Sequence, residues 1–188
     1  MSAGDMRVIG LAGWSGAGKT TLLTKLIPEL RRRFLRVATL KHAHHAFDVD
    51  QPGKDSYLHR QAGASEVIVS SSRRWVQIHE VGDDSEATLA DLLRRVSPCD
   101  LVVVEGFKRE THPKLEVFRV GNGRPPLHPD DPRIVAIASD RPFPEAGVPV
   151  ISLDAIEAIA DAVIRLSEPI SAVLTGLGLH RSDHGPAH

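Results

Sequence analysis

The stretch Gly13-Trp14-Ser15-Gly16-Ala17-Gly18-Lys19-Thr20 fits the pattern G-x-x-x-x-G-K-[ST] at every fixed position. Each residue type suits the holding of polyphosphate. Gly13, Gly16 and Gly18 admit backbone conformations closed to residues with a side chain. The loop N–H groups, those of Ser15 and Ala17 included, can then converge on phosphate oxygens, helped by the N-terminus of the helix expected from Thr21 to Arg33. Lys19 is placed to neutralise β- and γ-phosphates, and the Thr20 hydroxyl to hold Mg²⁺. The pattern specifies a nucleoside triphosphate. It leaves open the base, and whether the phosphate is hydrolysed, transferred or held.

Three further sets of residues carry chemistry. Glu105 ends the apolar run Leu101-Val102-Val103-Val104. An acid there can hold the Mg²⁺, directly or through water, or orient an attacking water. Gly106 after it permits a close backbone approach. His42, His44 and His45 with Asp48 and Asp50 form the densest ionisable cluster. Three readings stand: carboxylates that reach the nucleotide's Mg²⁺, a zinc site, or a solvated loop. Asp140, after a late apolar strand, resembles in its place the aspartate that accepts from the guanine ring in guanine-binding phosphate-loop proteins, although the full N-K-x-D or T-K-x-D signature is absent. His180 and His184, four apart, have metal-ligand spacing, against the plainer reading of a frayed terminus.

Ordered elements must position these groups. Arg7 to Ala12 is apolar and strand-like, and Leu22, Leu26 and Leu30 recur at helical spacing after the loop, with Pro28 inside that pattern. Val37–Lys41, Leu101–Gly106, Leu115–Val120, Ile134–Ala138 and Pro149–Ser152 are strand candidates. Glu66–Ser70 and Arg74–Glu80, joined by a short turn, predict an antiparallel hairpin. Residues Ser85 to Val96 predict an amphipathic helix. Asp154 and Glu157 form a capping-box pattern before a last helix carrying Ile156, Ile159, Ala160 and Val163. The expected fold is α/β: three layers, α/β/α, of the P-loop NTPase type, with a mainly parallel sheet, an added antiparallel hairpin and the loop at the sheet's carboxyl edge. One domain is expected over residues 1–168, with 169–188 a loosely ordered tail.

Composition narrows the partners. The chain has 188 residues, 41% hydrophobic and 25% charged, with a formal net charge of −1. That balance gives no overall basic field for nucleic acid. The run Arg31-Arg32-Arg33 with Arg36 fits the cationic end of a helix. Cys99 is the lone cysteine, which fits a reducing cytoplasm. Neither a signal peptide nor a membrane span is evident.

Taken together, Gly13–Thr20, Leu40-Lys41-His42-Ala43-His44-His45, Asp48-Val49-Asp50, Pro52-Gly53-Lys54-Asp55-Ser56, His59-Arg60, Ala62-Gly63-Ala64, Val104-Glu105-Gly106-Phe107-Lys108 and Ala138-Ser139-Asp140 resemble the molybdopterin-guanine dinucleotide biosynthesis protein B (MobB) family. The resemblance runs from about Arg7 to Leu166. It implies a cytoplasmic, often dimeric protein that binds GTP with Mg²⁺ and hydrolyses it weakly. It also implies a partner, the enzyme that joins a guanine nucleotide to molybdopterin. Carried onto this sequence, it puts Lys19, Glu105, Asp48 and Asp50 in catalysis and Thr20, Glu105 and Asp48 on the metal. Gly13, Ser15, Gly16, Ala17, Gly18, Lys19, Thr20, Thr21 and Asp140 would bind nucleotide. Ala43 and Ala46 depart from the polar residues expected in that loop, and the chain beyond Pro169 has no recognised counterpart.

Two other classes compete. A small-molecule kinase needs an acceptor pocket and a lid with arginines over the phosphates, for which Arg124 and Arg133 are candidates. A regulatory ATPase often has an extra lysine early in the loop, where this chain has Trp14. No arginine finger is evident.

Overall fold

The computed structural model describes residues 6–43, 47–82 and 86–182, with backbone alone for 179–182. His44, His45 and His184, and the His180 side chain, fall outside that description. In chain order the first elements are β1 Arg7–Ala12, α1 Lys19–Arg32, β2 Val37–Lys41, α2 Asp55–Gln61, β3 Glu66–Ser70, β4 Trp75–His79 and α3 Leu89–Arg95. Then follow β5 Leu101–Glu105, β6 Lys114–Phe118, β7 Ile134–Ser139, β8 Val150–Ser152, α4 Ile156–Leu166, β9 Glu168–Pro169 and α5 Ile170–Ser182. Two compact units emerge, Met1–His42 with Leu89–His188, and Ala43–Thr88. The boundary expected at 168/169 instead lies inside the first unit.

The first unit is built on a sheet of order β2-β5-β1-β6-β7-β8, parallel throughout, with β9 pairing antiparallel to the start of β1. Residues 8–12 of β1 and 101–104 of β5 are apolar on both faces, as a sheet covered on both sides requires, whereas β6 buries Lys114 and Glu116. Ile9, Leu11, Leu101, Val103, Leu115 and Val117 point to one face, where α1 contributes Leu22, Leu26 and Leu30 and α4 contributes Ile159 and Val163. Val8, Val102 and Val104 point to the other, where they meet Leu89 and Leu93 of α3 and Ile170, Val173 and Leu177 of α5. This is the expected three-layer α/β arrangement.

Pro28 does not end α1. It lies on the exposed face, so the Thr24 carbonyl that it leaves without a helix donor stays open to water. Three local expectations are corrected. The helix expected over Ser85 to Val96 spans only Leu89–Arg95; residues 86–88 are not helical, and Ser85 lies outside the described residues. Asp154 does not cap α4: Ala155 holds that position without a side-chain hydrogen bond, and the Asp154 N–H donates to Ser152 Oγ (3.3 Å). The stretch expected to be loosely ordered instead holds α5. Burial of Ile170, Val173 and Leu177 against β1 and α3 holds it in place despite Gly176 and Gly178.

The second unit holds α2 and the antiparallel hairpin β3-β4, a separate two-stranded sheet in which Val67 pairs with Ile78 and Val69 with Val76. No described helix is long and apolar enough to cross a membrane.

Candidate nucleotide-binding site

The glycine-rich loop leaves the carboxyl end of β1, mid-sheet, and runs into α1. Gly13 has φ +143°, and a Cβ there would stand 2.6 Å from the Val117 carbonyl oxygen of β6. Only glycine fits that turn. Ala17 is buried and its N–H donates to the Trp14 carbonyl (3.1 Å), which tightens the loop. Ser15, Thr20 and Thr21 are exposed, the last two on the first turn of α1.

Lys19 folds back over the loop. Its Nζ donates to the carbonyls of Gly13 (2.9 Å) and Trp14 (3.1 Å). Burial pushes its pKa down; the Glu105 carboxylate opposes that shift, and Lys108 and Lys41 reinforce it. Glu105 ends β5, in register with Leu11 of β1 on one side and Lys41 of β2 on the other. The strand pairing therefore sets this half-buried acid beside the start of the phosphate loop. Gly106 makes room for the protein rather than for a ligand: a Cβ there would stand 2.6 Å from His42 Cβ, and the His42 and Phe107 rings lie 4.7 Å apart.

The donor set suits a nucleotide carried with Mg²⁺. The loop and the start of α1 offer backbone N–H groups, one ammonium and a hydroxyl, and β5 adds the Glu105 carboxylate as a second hard oxygen ligand. Among the described residues no group of three or more His, Cys, Asp or Glu is placed to cage a metal. Mg²⁺ needs no such cage, since it commonly takes one or two protein oxygens plus substrate phosphates.

The family model described as Molybdopterin guanine dinucleotide synthesis protein B matches residues 8–140. The chain belongs to this family. The Escherichia coli (strain K12) molybdopterin-guanine dinucleotide biosynthesis adapter protein is 45% identical over 160 residues, covering 84% of this chain and 91% of that protein. Its Haemophilus influenzae counterpart is 41% identical over 157 residues, covering 83% and 86%. A solved molybdopterin-guanine biosynthesis protein B superposes with a TM-score of 0.64 at 26% identity, over 85% of this chain and 99% of that one. Bacillus subtilis MobB gives 0.66 at 20% identity over 86% and 98%, a likeness of fold.

The family match ends at Asp140, which follows β7. Asp140 Oδ1 accepts from the Val120 N–H (3.0 Å). The residue lines a cavity of about 430 Å³ with Ser139, Arg141, Phe143 and Ser152. The Arg141 guanidinium lies 4.4 Å from the Phe143 ring centre, and Phe118 meets Phe143 edge-on at 5.0 Å. Arg141 and Phe143 thus give the cavity lining a guanidinium and an aromatic ring, both groups against which an aromatic ring can stack.

Asp48 and Asp50 belong to the second unit, where both are held by Arg60. Arg60 Nη1 bonds Asp48 Oδ1 (2.9 Å) and Asp50 Oδ2 (3.3 Å), and its Nε bonds Glu80. Asp50 also accepts from Ser56 Oγ (2.8 Å). Chiefly through the Arg60 hydrogen bonds, the Asp48 carboxyl is held below the usual carboxylate range. Arg124 lies over the Trp14 ring of the phosphate loop, whereas Arg133, just before β7, donates from Nη2 to both carboxylate oxygens of Glu168 (2.9 and 3.0 Å). Sequence reasoning missed Arg119 and Asn122 and quoted Lys108 without giving it a role; the closeness of all three to the loop depends on how β6 and its flanking turns fold.

Proposed function

We propose that this chain is a GTP-binding adapter of molybdopterin-guanine dinucleotide biosynthesis, working in the cytoplasm as a homodimer beside a guanylyl-transferring enzyme. The observation that carries the reading is the phosphate loop with Lys19 and Glu105 at the carboxyl edge of the sheet, in a chain of this family. Relatives at 45% and 41% identity bear the adapter name.

In this reading Lys19 exchanges its bonds to the Gly13 and Trp14 carbonyls for β- and γ-phosphate oxygens. Thr20 and Glu105 supply hard oxygens to Mg²⁺, which when bound neutralises phosphate charge. Asp140 accepts from the guanine edge, and the Arg141–Phe143 wall receives the ring. The hydrogen bonds of Asp48 and Asp50 support a first task in ordering residues 47–60 through Arg60. Any part of these carboxylates in metal binding or hydrolysis depends on release from that arginine.

Turnover by the isolated chain is expected to fall well below the roughly 10 s⁻¹ of a typical enzyme. The measurement is single-turnover GTP hydrolysis with and without a molybdopterin guanylyltransferase. A slow rate that the partner alters supports the adapter reading. Fast turnover, indifferent to the partner, would favour an independent kinase or hydrolase.

A further inference from the structure

The turn after β6 lies against the phosphate loop at three points. Arg119 Nε is 3.0 Å, and its Nη2 3.7 Å, from where a Cβ on Gly18 would stand. Asn122 Oδ1 is 3.2 Å from the corresponding point on Gly16. Trp14 Nε1 donates to the Pro125 carbonyl (2.8 Å), and Arg124 lies over the indole at 5.6 Å. The segment is also pinned from behind. Asp140 accepts from the Val120 N–H, and the buried Glu116 carboxylate accepts from the N–H groups of Leu127 (2.6 Å) and His128 (2.9 Å).

Arg119 is therefore a half-buried guanidinium held beside the residue that precedes Lys19. The other arginines near it in sequence have partners. Arg133 pairs with Glu168, Arg124 lies on Trp14 and Arg141 on Phe143. Arg119 forms no ion pair or side-chain hydrogen bond among the described residues. A guanidinium beside the N-terminus of α1, with no carboxylate to answer it, is a ready partner for a phosphate, whose oxygens match its fork of donors.

We propose that Arg119 is a phosphate-binding residue of this site, supplied by the same chain, which neutralises the terminal phosphates of a bound nucleoside triphosphate at the Gly18 edge of the loop. The inference rests on the nucleotide reading above. It adds a second fixed cation to Lys19, on the β6 side of the loop, opposite Glu105 on β5.

The test is competition binding of GTP and GMP to the wild-type chain, Arg119→Ala, Arg119→Gln and Arg119→Lys, with melting curves for each. Arg119→Ala and Arg119→Gln are expected to lose about tenfold to a hundredfold in GTP affinity, the scale of a lost hydrogen bond to a charged group. GMP is expected to lose less. Arg119→Lys should recover part of the GTP affinity, having the charge without the fork. Unchanged GTP affinity in Arg119→Ala, or equal losses for GTP and GMP, would overturn the inference. A fall in melting temperature shared by all three variants, without discrimination between nucleotides, would assign Arg119 to structure and also overturn it. A wild-type chain that binds no GTP overturns the nucleotide reading itself, before any variant is compared.

Discussion

Lys19 spends its charge on two loop carbonyls in this structure, and both bonds are replaceable by water. Lys19→Ala is therefore expected to remove nucleotide binding while leaving the melting temperature nearly unchanged. Asp140 carries a finer expectation. A carboxylate can take the N1–H and N2–H₂ pair of guanine, which adenine lacks, so GTP should be preferred over ATP by about 1–3 kcal/mol. Titration of Asp140→Ala with both nucleotides checks this. Selectivity that survives the substitution would move base recognition to another residue. His112 gives a pH prediction. It is buried, neither ring nitrogen has a protein partner among the described residues, and burial first, then Lys114 and Arg133, push its pKa from 6.5 down to about 3. Between those values the unfolded chain takes up a proton that the folded chain refuses, so stability falls as pH drops through that window. The slope is up to about 1.4 kcal/mol per pH unit. Urea unfolding at about pH 7 and about pH 5 should show it, and His112→Gln should flatten it. Sequence reasoning did not single out His112, because its burial arises from the close approach of Gly10, where a Cβ would stand 2.4 Å from its Nε2.

At the scale of elements, α5 carries the plainest expectation. Leu177 is buried against the second face of the sheet, so Leu177→Ala should cost about 2–5 kcal/mol in chemical denaturation. A loosely ordered tail would lose nothing measurable. The spacing Ile170, Val173, Leu177 was present in the sequence, but Gly176 and Gly178 weakened it as a helical signal. The strands were easier to find, since runs such as Val102-Val103-Val104 suit a sheet covered on both faces. The phosphate loop was legible because its pattern is contiguous. Glu105 was legible because it ends such a run. Arg119 and Asn122 were not, because only the register of β6 against β1 and the turn at Val120–Asn122 bring them to Gly18 and Gly16. Asp48 and Asp50 were visible as carboxylates, but their engagement by Arg60 was not, since it joins residues 12 and 10 positions apart across a stretch that is not helical before Asp55.

At the scale of the whole molecule, a parallel sheet with β1 near its middle brings the phosphate loop, Glu105 and Asp140 to the carboxyl ends of its strands, where open α/β sheets bind ligands. The account's central claim is that this edge binds GTP with Mg²⁺ through Lys19. Calorimetric titration with GTP, with and without Mg²⁺, on the wild-type chain and Lys19→Ala tests it most directly. The account predicts saturable, Mg²⁺-strengthened binding by the wild-type chain and none by a Lys19→Ala variant that melts at the same temperature. Equal GTP affinity in the two proteins would contradict it.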